Sequence, residues 1–271
     1  MLAPDCLRRR LVRPVLDRFR DAGLEAVSWH LAPLSPVCID AMSEAQGAGP
    51  GQTYRYRALD ALIALGPALL LCLDDRLGRT SAEVYGAVRK LKGNADPQRA
   101  EAGSLRHDLC AVNAVLSLLH TSDSPEASAM ESAILLGHRD VSFFQPGGLD
   151  EAVEVLELSQ PRETRLFPEV LTAVRGRAAT ALWPVLTGDG RRLATKMAAK
   201  GQLAEPDAGE RLCTELTGPA DLAQVLRARF DGTEPAPAMS DVQHLLRAHR
   251  IELDAWEHTV LATSAYFPPR R

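Results

Sequence analysis

The chain has 271 residues, 46% of them hydrophobic and 24% charged, with a formal net charge of −4. That composition builds one large core or two modest ones and excludes a disordered chain. The charge balance gives no global reason to expect nucleic acid or an anionic membrane as partner, and no apolar run approaches the roughly 20 residues of a membrane span.

The start MLAPDCLRRR lacks the apolar segment of a signal peptide. Cys6, Cys38, Cys72, Cys110 and Cys213 lie far apart without a CxxC pair, which spells neither a zinc knuckle nor a redox motif and favours a reducing cytoplasm.

In chain order, Leu11, Val15, Leu16 and Phe19 recur at helical spacing, and Gly23 closes that helix. Leu24 to Leu31 alternates as a strand does, a short helix is expected from Val37 to Ser43, GAGPGQ is a loop, and Arg57 to Leu65 reads as another helix. ALLLCL at 68 to 73, bounded by Gly66-Pro67 and Asp74-Asp75, suits a strand buried on both faces. Thr80 or Ser81 caps a helix through Arg89, and a long polar segment, KGNADPQRAEAGSLRHD, follows. An apolar run from Ala111 to Leu119 ends at His120, after which Ser124 and Pro125 supply the N-cap and first residue of a helix reaching Leu136. Beyond about Gln145 the texture becomes Ala, Leu, Glu and Arg at helical spacing from 149 to 265. EPAPAM at 234 to 239 serves as a stiff linker before a last helix. In this half Trp183, Trp256, His244, His249 and His258 are read as packing residues.

The densest polar group is LRHDLCAVNAVLSLLHTSDSPEASAMES, where a histidine precedes a capped helix. Its SLLHTSDSPEASAMESAI, together with GNADPQRAEAGSLRHD and APDCLRRRLVRPVLDRF, resembles the nucleoside diphosphate kinase family, whose members carry NxxHGSDSxExAxxE, GxTDPxxAxPGTIRGD and KPDGVQRGLVGEIIKRF. The resemblance runs from residue 3 to about 145. It implies a ferredoxin-like α/β sandwich of the α+β class over 1–145, and the helical texture beyond it reads as a mostly helical accessory domain over 146–271.

By that resemblance the chain transfers the terminal phosphoryl of ATP or another nucleoside triphosphate to a nucleoside diphosphate, with magnesium carried by the nucleotide. His120 is the residue phosphorylated, and a covalent intermediate splits one hard step into two easier ones. Glu131 holds its tautomer with support from Ser122. Arg89 and Arg106 neutralise phosphoryl charge, Ser117 stands where the family has an asparagine, and Tyr54 or Tyr56 covers the base. The family's usual homo-oligomer is the assembly implied, with no nucleic acid or membrane partner.

Three positions depart from the family: Ala3 replaces its phosphate-contacting lysine, Ala95 its loop threonine and Ser117 its asparagine, while Asn113 falls out of register. Lys90 and Lys92 stand in line to compensate for Ala3. These losses keep a second reading in play, a catalytically degenerate nucleotide-binding or regulatory module whose helical half docks a partner. A third reading gives the defining role to that half alone.

Overall fold

The apolar run at Ala68 has no polar residue to turn toward water. It becomes the start of strand β2 (Ala68–Asp75), whose first three residues are buried. In this computed structural model, which describes residues 1–45, 57–137, 144–233 and 235–270, β2 pairs antiparallel with β1 (Leu24–Ala32). Ala32 lies opposite Ala68 and Leu24 opposite Asp75, with one bulge between Ala26 and Ser28.

On the other side of β2 the sheet continues through a single residue. Leu2 bridges Leu69 on one hand and Leu119 on the other, both antiparallel. Leu2 and Leu69 exchange backbone bonds of 2.7 and 2.9 Å, while Ala3 N–H donates to Leu118 O and His120 N–H to Met1 O, each at 2.9 Å. Numbered along the chain, the spatial order is fourth, first, third, second, the antiparallel order of the expected ferredoxin-like sandwich. Its first and last strands are reduced to single rungs.

A short helix not anticipated from the sequence, α1 (Pro4–Arg8), follows Leu2, and α2 (Val12–Asp21) buries Val12, Val15, Leu16 and Phe19 on one face. Those four pack with Leu2, Leu69, Leu105, Leu118 and Leu119. Each fully buried side chain of this kind contributes about 1.5–3 kcal/mol relative to exposure. Helix α3 (Pro36–Ala45) is two residues longer at its C-terminal end than expected. The helix expected over 57–65 is a 3-10 turn, Arg57–Leu59, followed by α4 (Asp60–Ile63). The GAGPGQ loop lies outside the described residues.

Helix α5 (Ser81–Lys92) starts in a capping box: Thr80 Oγ1 accepts from Glu83 N–H, and the Glu83 carboxylate accepts from Thr80 N–H. The polar segment after it contains one turn of helix, α6 (Leu105–Asp108), and Ser124 caps α7 (Pro125–Leu136) as read from the sequence.

The backbone divides into two units at Thr164/Arg165, not at the expected 145/146. Gln145 exchanges two backbone bonds with Trp29 of β1, of 2.7 and 3.1 Å. Helix α8 (Leu149–Leu158) then places Val153 in the first unit's core with Leu149 and Leu156 against it. An amphipathic helix reads the same whichever core it joins, so the change in texture at Gln145 did not locate the boundary.

The second unit is helical, as expected. Its longest helix, α9 (Phe167–Ala181), buries Val170, Leu171, Val174 and Ala178. Arg175, 2% exposed, donates to Leu203 O, Glu205 O and Ala228 O at 2.8–3.1 Å. The two short helices α11 (Ala208–Cys213) and α12 (Ala223–Arg227), which follow α10 (Gly188–Ala199), pack so closely that a Cβ on Gly209 would collide with the Leu226 carbonyl. The expected last helix is two: α13 (Met239–Ala248) ends before Arg250, at φ +58°, and α14 (Ala255–Ser264) begins in a capping box of Asp254 and Glu257. Trp256 is core, its Nε1 donating to Arg165 O at 2.9 Å, whereas Trp183 is 40% exposed. Among the described residues no helix is long and apolar enough to cross a membrane.

Candidate active site

The apolar run that ends at His120 is buried yet forms no continuous strand. Asn113 Oδ1 accepts from Val115 N–H at 3.0 Å and Leu116 N–H at 2.9 Å, an Asx turn that folds the run back on itself. Asn113 therefore shapes the backbone here, in keeping with its being out of register with the family's asparagine.

Two residues before the histidine the chain turns again. Leu118 has φ +71° and Leu119 N–H donates to Ser117 O at 2.8 Å, the hydrogen bond of a γ-turn with a left-handed central residue. A leucine in that region costs on the order of 1–3 kcal/mol and persists only where its surroundings over-determine it. They do so from three sides. Asp5 Oδ2 accepts from Leu118 N–H at 3.0 Å, and Ala3 N–H donates to Leu118 O. Arg106 donates from Nε to Ser117 O at 3.2 Å, from one terminal nitrogen to Leu119 O at 2.8 Å, and from the other to Gly93 O at 2.8 Å.

Burial shapes the charges of this clamp. Asp5 is fully buried, and desolvation raises its pKa from 3.8 to about 6 against the lowering effect of the Leu118 bond and Arg9. Arg106 is 6% exposed, and burial lowers its pKa to about 10. The guanidinium expected on the phosphoryl oxygens is committed to backbone carbonyls, with Ser117 Oγ 3.4 Å from the same nitrogen that serves Leu119. Arg106 holds up the turn that carries His120, a role its position in the loop did not reveal.

His120 leaves that turn with its ring 28% exposed. Its Nε2 lies 2.9 Å from Glu131 Oε2, and Ser122 Oγ donates to the same oxygen at 2.6 Å. Glu131 sits in the second turn of α7, its side chain 8% exposed, where Ser124 Oγ accepting from Ala127 N–H fixes the start of the helix. A carboxylate accepts and does not donate, so Nε2 is the donor, and in the neutral ring Nδ1 keeps its lone pair. A neutral imidazole with one nitrogen anchored and the other free is a nucleophile with a fixed direction. Beside it opens a cavity of about 310 Å³ lined by Leu71, Leu73, Tyr85, His120, Glu131 and Ser132, among others.

Two more cations flank the segment. Arg89 is exposed at the last turn of α5, and its guanidinium has no partner among the described residues. Lys92, the last residue of α5, is 8% exposed and donates from Nζ to Thr121 O at 3.2 Å and toward Asp123 Oδ1 at 3.5 Å. The carbonyls of Ser117, Leu119 and Thr121 are thus met by Arg106 and Lys92. Ala3 is buried and brings no charge, and Ala95 is exposed. Tyr54 and Tyr56 lie outside the described residues. Among the described residues no three His, Cys, Asp or Glu side chains gather in a way that would hold a metal ion.

Of the residues read from the sequence, the structure brings His120, Glu131 and Ser122 into contact and binds Ser117 to Arg106. The role of Asp5 was not legible, because nothing in APD announces a buried side chain, and the sequence named Lys90 and Lys92 together without showing that only Lys92 is buried.

The sequence pattern of the family described as nucleoside diphosphate kinase matches residues 1–141. A nucleoside diphosphate kinase of Treponema pallidum is 32% identical over 151 residues, which are 55% of this chain and 93% of that protein. One of Methanocorpusculum labreanum is 31% identical over 134 residues, 49% of this chain and 83% of that protein. The apo crystal structure of nucleoside diphosphate kinase from Encephalitozoon cuniculi overlaps 56% of this chain and 95% of its own, at 22% identity and a TM-score of 0.42.

Proposed function

The chain belongs to the nucleoside diphosphate kinase family, and we propose that its first unit moves the terminal phosphoryl group of a nucleoside triphosphate onto a nucleoside diphosphate through a phosphohistidine at His120. The observation that carries this reading is the bond from His120 Nε2 to Glu131, which leaves Nδ1 as the free nucleophilic nitrogen.

In the first half-reaction Nδ1 attacks the terminal phosphorus. An N–P bond forms, the bridging P–O bond breaks, and the electron pair leaves on the oxygen of the departing diphosphate. As the ring becomes cationic, the Glu131 carboxylate on Nε2 stabilises it, and the Ser122 hydroxyl keeps that carboxylate aimed. In the second half-reaction an oxygen of the incoming diphosphate attacks the phosphorus, and the N–P bond breaks with its electron pair returning to Nδ1.

Arg89 supplies a guanidinium that has no partner among the described residues, suited to oxygens that arrive with substrate. Arg106 contributes indirectly by fixing the turn, with Ser117 held against it. Tyr54 and Tyr56 remain the side chains proposed to cover the base. Magnesium carried on the nucleotide would withdraw charge from the phosphates. The five thiols, none of them in a disulfide, support a reducing compartment. The intact His120–Glu131–Ser122 arrangement favours transfer over a degenerate binding module.

The test is incubation with magnesium and gamma-labelled ATP, followed by assay for acid-labile, alkali-stable label. Label is expected on the wild type and chased by GDP, and is expected to be absent from His120→Ala. Absence of label from a wild type that binds nucleotide overturns the reading.

A further inference from the structure

Lys92 has a setting that its sequence neighbours lack. Lys90, two residues earlier, is exposed, whereas the Lys92 side chain, at the end of α5, is 11% exposed. An ammonium carries three N–H donors. Two are used, both at long range: 3.2 Å to Thr121 O and 3.5 Å to an Asp123 carboxylate that is itself 66% exposed. No described residue takes the third. Taking a charge this far out of water is unfavourable unless it is well paired, and this pairing is weak. Desolvation accordingly holds its pKa below the ordinary lysine value, with Asp123 and Glu131 pulling the other way and Arg106 adding to the depression. Thr121 is bonded to His120 in the chain and Glu131 is bonded to its ring, so the ammonium stands beside the nucleophile with a donor unspent.

Arg89, one turn earlier on α5, lies on the same face at a spacing of three. The face thus presents an unpartnered guanidinium and an underpaired ammonium, while Ala3 presents none. We propose that Lys92 is a further phosphoryl-binding residue of this enzyme, contacting the group carried by His120 and supplying from the end of α5 the positive charge that Ala3 cannot. The proposal rests on the phosphohistidine reading. Asp123 and the Thr121 carbonyl hold the ammonium in place until a phosphoryl oxygen, a stronger acceptor than either, arrives.

The experiment separates the two. Phosphoramidate loads histidine chemically without any nucleotide, and the 31P resonance missing from His120→Ala identifies the His120 phosphoryl group. In the wild type that group is expected to titrate about one pH unit lower than in Lys92→Met, because a neighbouring ammonium favours its dianion. With gamma-labelled ATP, Lys92→Met is expected to label about 10- to 100-fold more slowly, the effect falling on the transfer rate more than on the nucleotide KM. Adding Ala3→Lys in the same chain is expected to recover part of that loss. A Lys92→Met protein as stable as wild type with an unmoved 31P titration overturns the proposal, whether or not the wild type accepts label from ATP. Should Lys92→Met not fold, Lys92→Gln carries the comparison: a 31P titration unmoved by removing the charge overturns it equally.

Discussion

Replacing Asp5 by Asn tests the clamp around the γ-turn through its pH dependence. The Asp5 carboxyl is raised from 3.8 to about 6, so the folded protein binds this proton more tightly than the unfolded chain does. Its stabilising contribution is fully present below pH 3.8 and is lost as the pH rises through about 6. A shift of about 2 units at 1.36 kcal/mol per unit amounts to roughly 3 kcal/mol by pH 8. Asn keeps an oxygen for the Leu118 N–H but cannot ionise, so Asp5→Asn should gain up to that amount on the wild type between pH 4 and 8. Asp5 Oδ1 is buried without a partner, and an amide nitrogen placed there adds an offset that is independent of pH, which makes the slope diagnostic. Urea denaturation read by hydrogen exchange of the Leu69 and Leu119 amides reports the unit that holds Asp5. A stability difference that stays flat from pH 4 to 8 would refute the argument that desolvation dominates at this carboxyl.

Two further outcomes follow from contacts already described. Glu131→Gln presents an amide that no longer stabilises a cationic ring, and labelling of His120 by ATP should slow about a hundredfold or more; labelling at the wild-type rate would remove Glu131 from the mechanism. Gly209→Ala drives a methyl into the Leu226 carbonyl and should cost about 1–3 kcal/mol in the thermal transition of the second unit, with phosphoryl transfer unchanged in protein that stays folded.

The strongly patterned elements were legible in the sequence. β1, β2, α2, α5 and α7 emerge within a few residues of their expected limits, because long apolar periodicity and the caps at Thr80 and Ser124 are local signals. The outer strands were not, because a strand one residue long has no period to detect, and Leu2 shows its place only through two distant partners. The γ-turn at Leu118 was hidden for a related reason. Leucine carries no turn signal, and the conformation is imposed by Asp5 and Arg106, both more than ten residues earlier in the chain. His120, Ser122 and Glu131 were readable because their spacing is short and two of them lie on or beside one capped helix. Arg106 was read as a phosphoryl-binding residue, and its bonds to the carbonyls of Gly93, Ser117 and Leu119 were not legible, since sequence cannot say whether a guanidinium turns outward or inward.

The alternating carbonyls of Ser117, Leu119 and Thr121 also bear on how this protein meets other chains. A bare row of acceptors at a sheet margin is a template on which a foreign strand can grow, the first step toward swapped or fibrous assemblies. Here two long cationic side chains already take those carbonyls. The segment that carries His120 is therefore flanked by carbonyls that already have donors, which leaves fewer acceptors for a foreign strand.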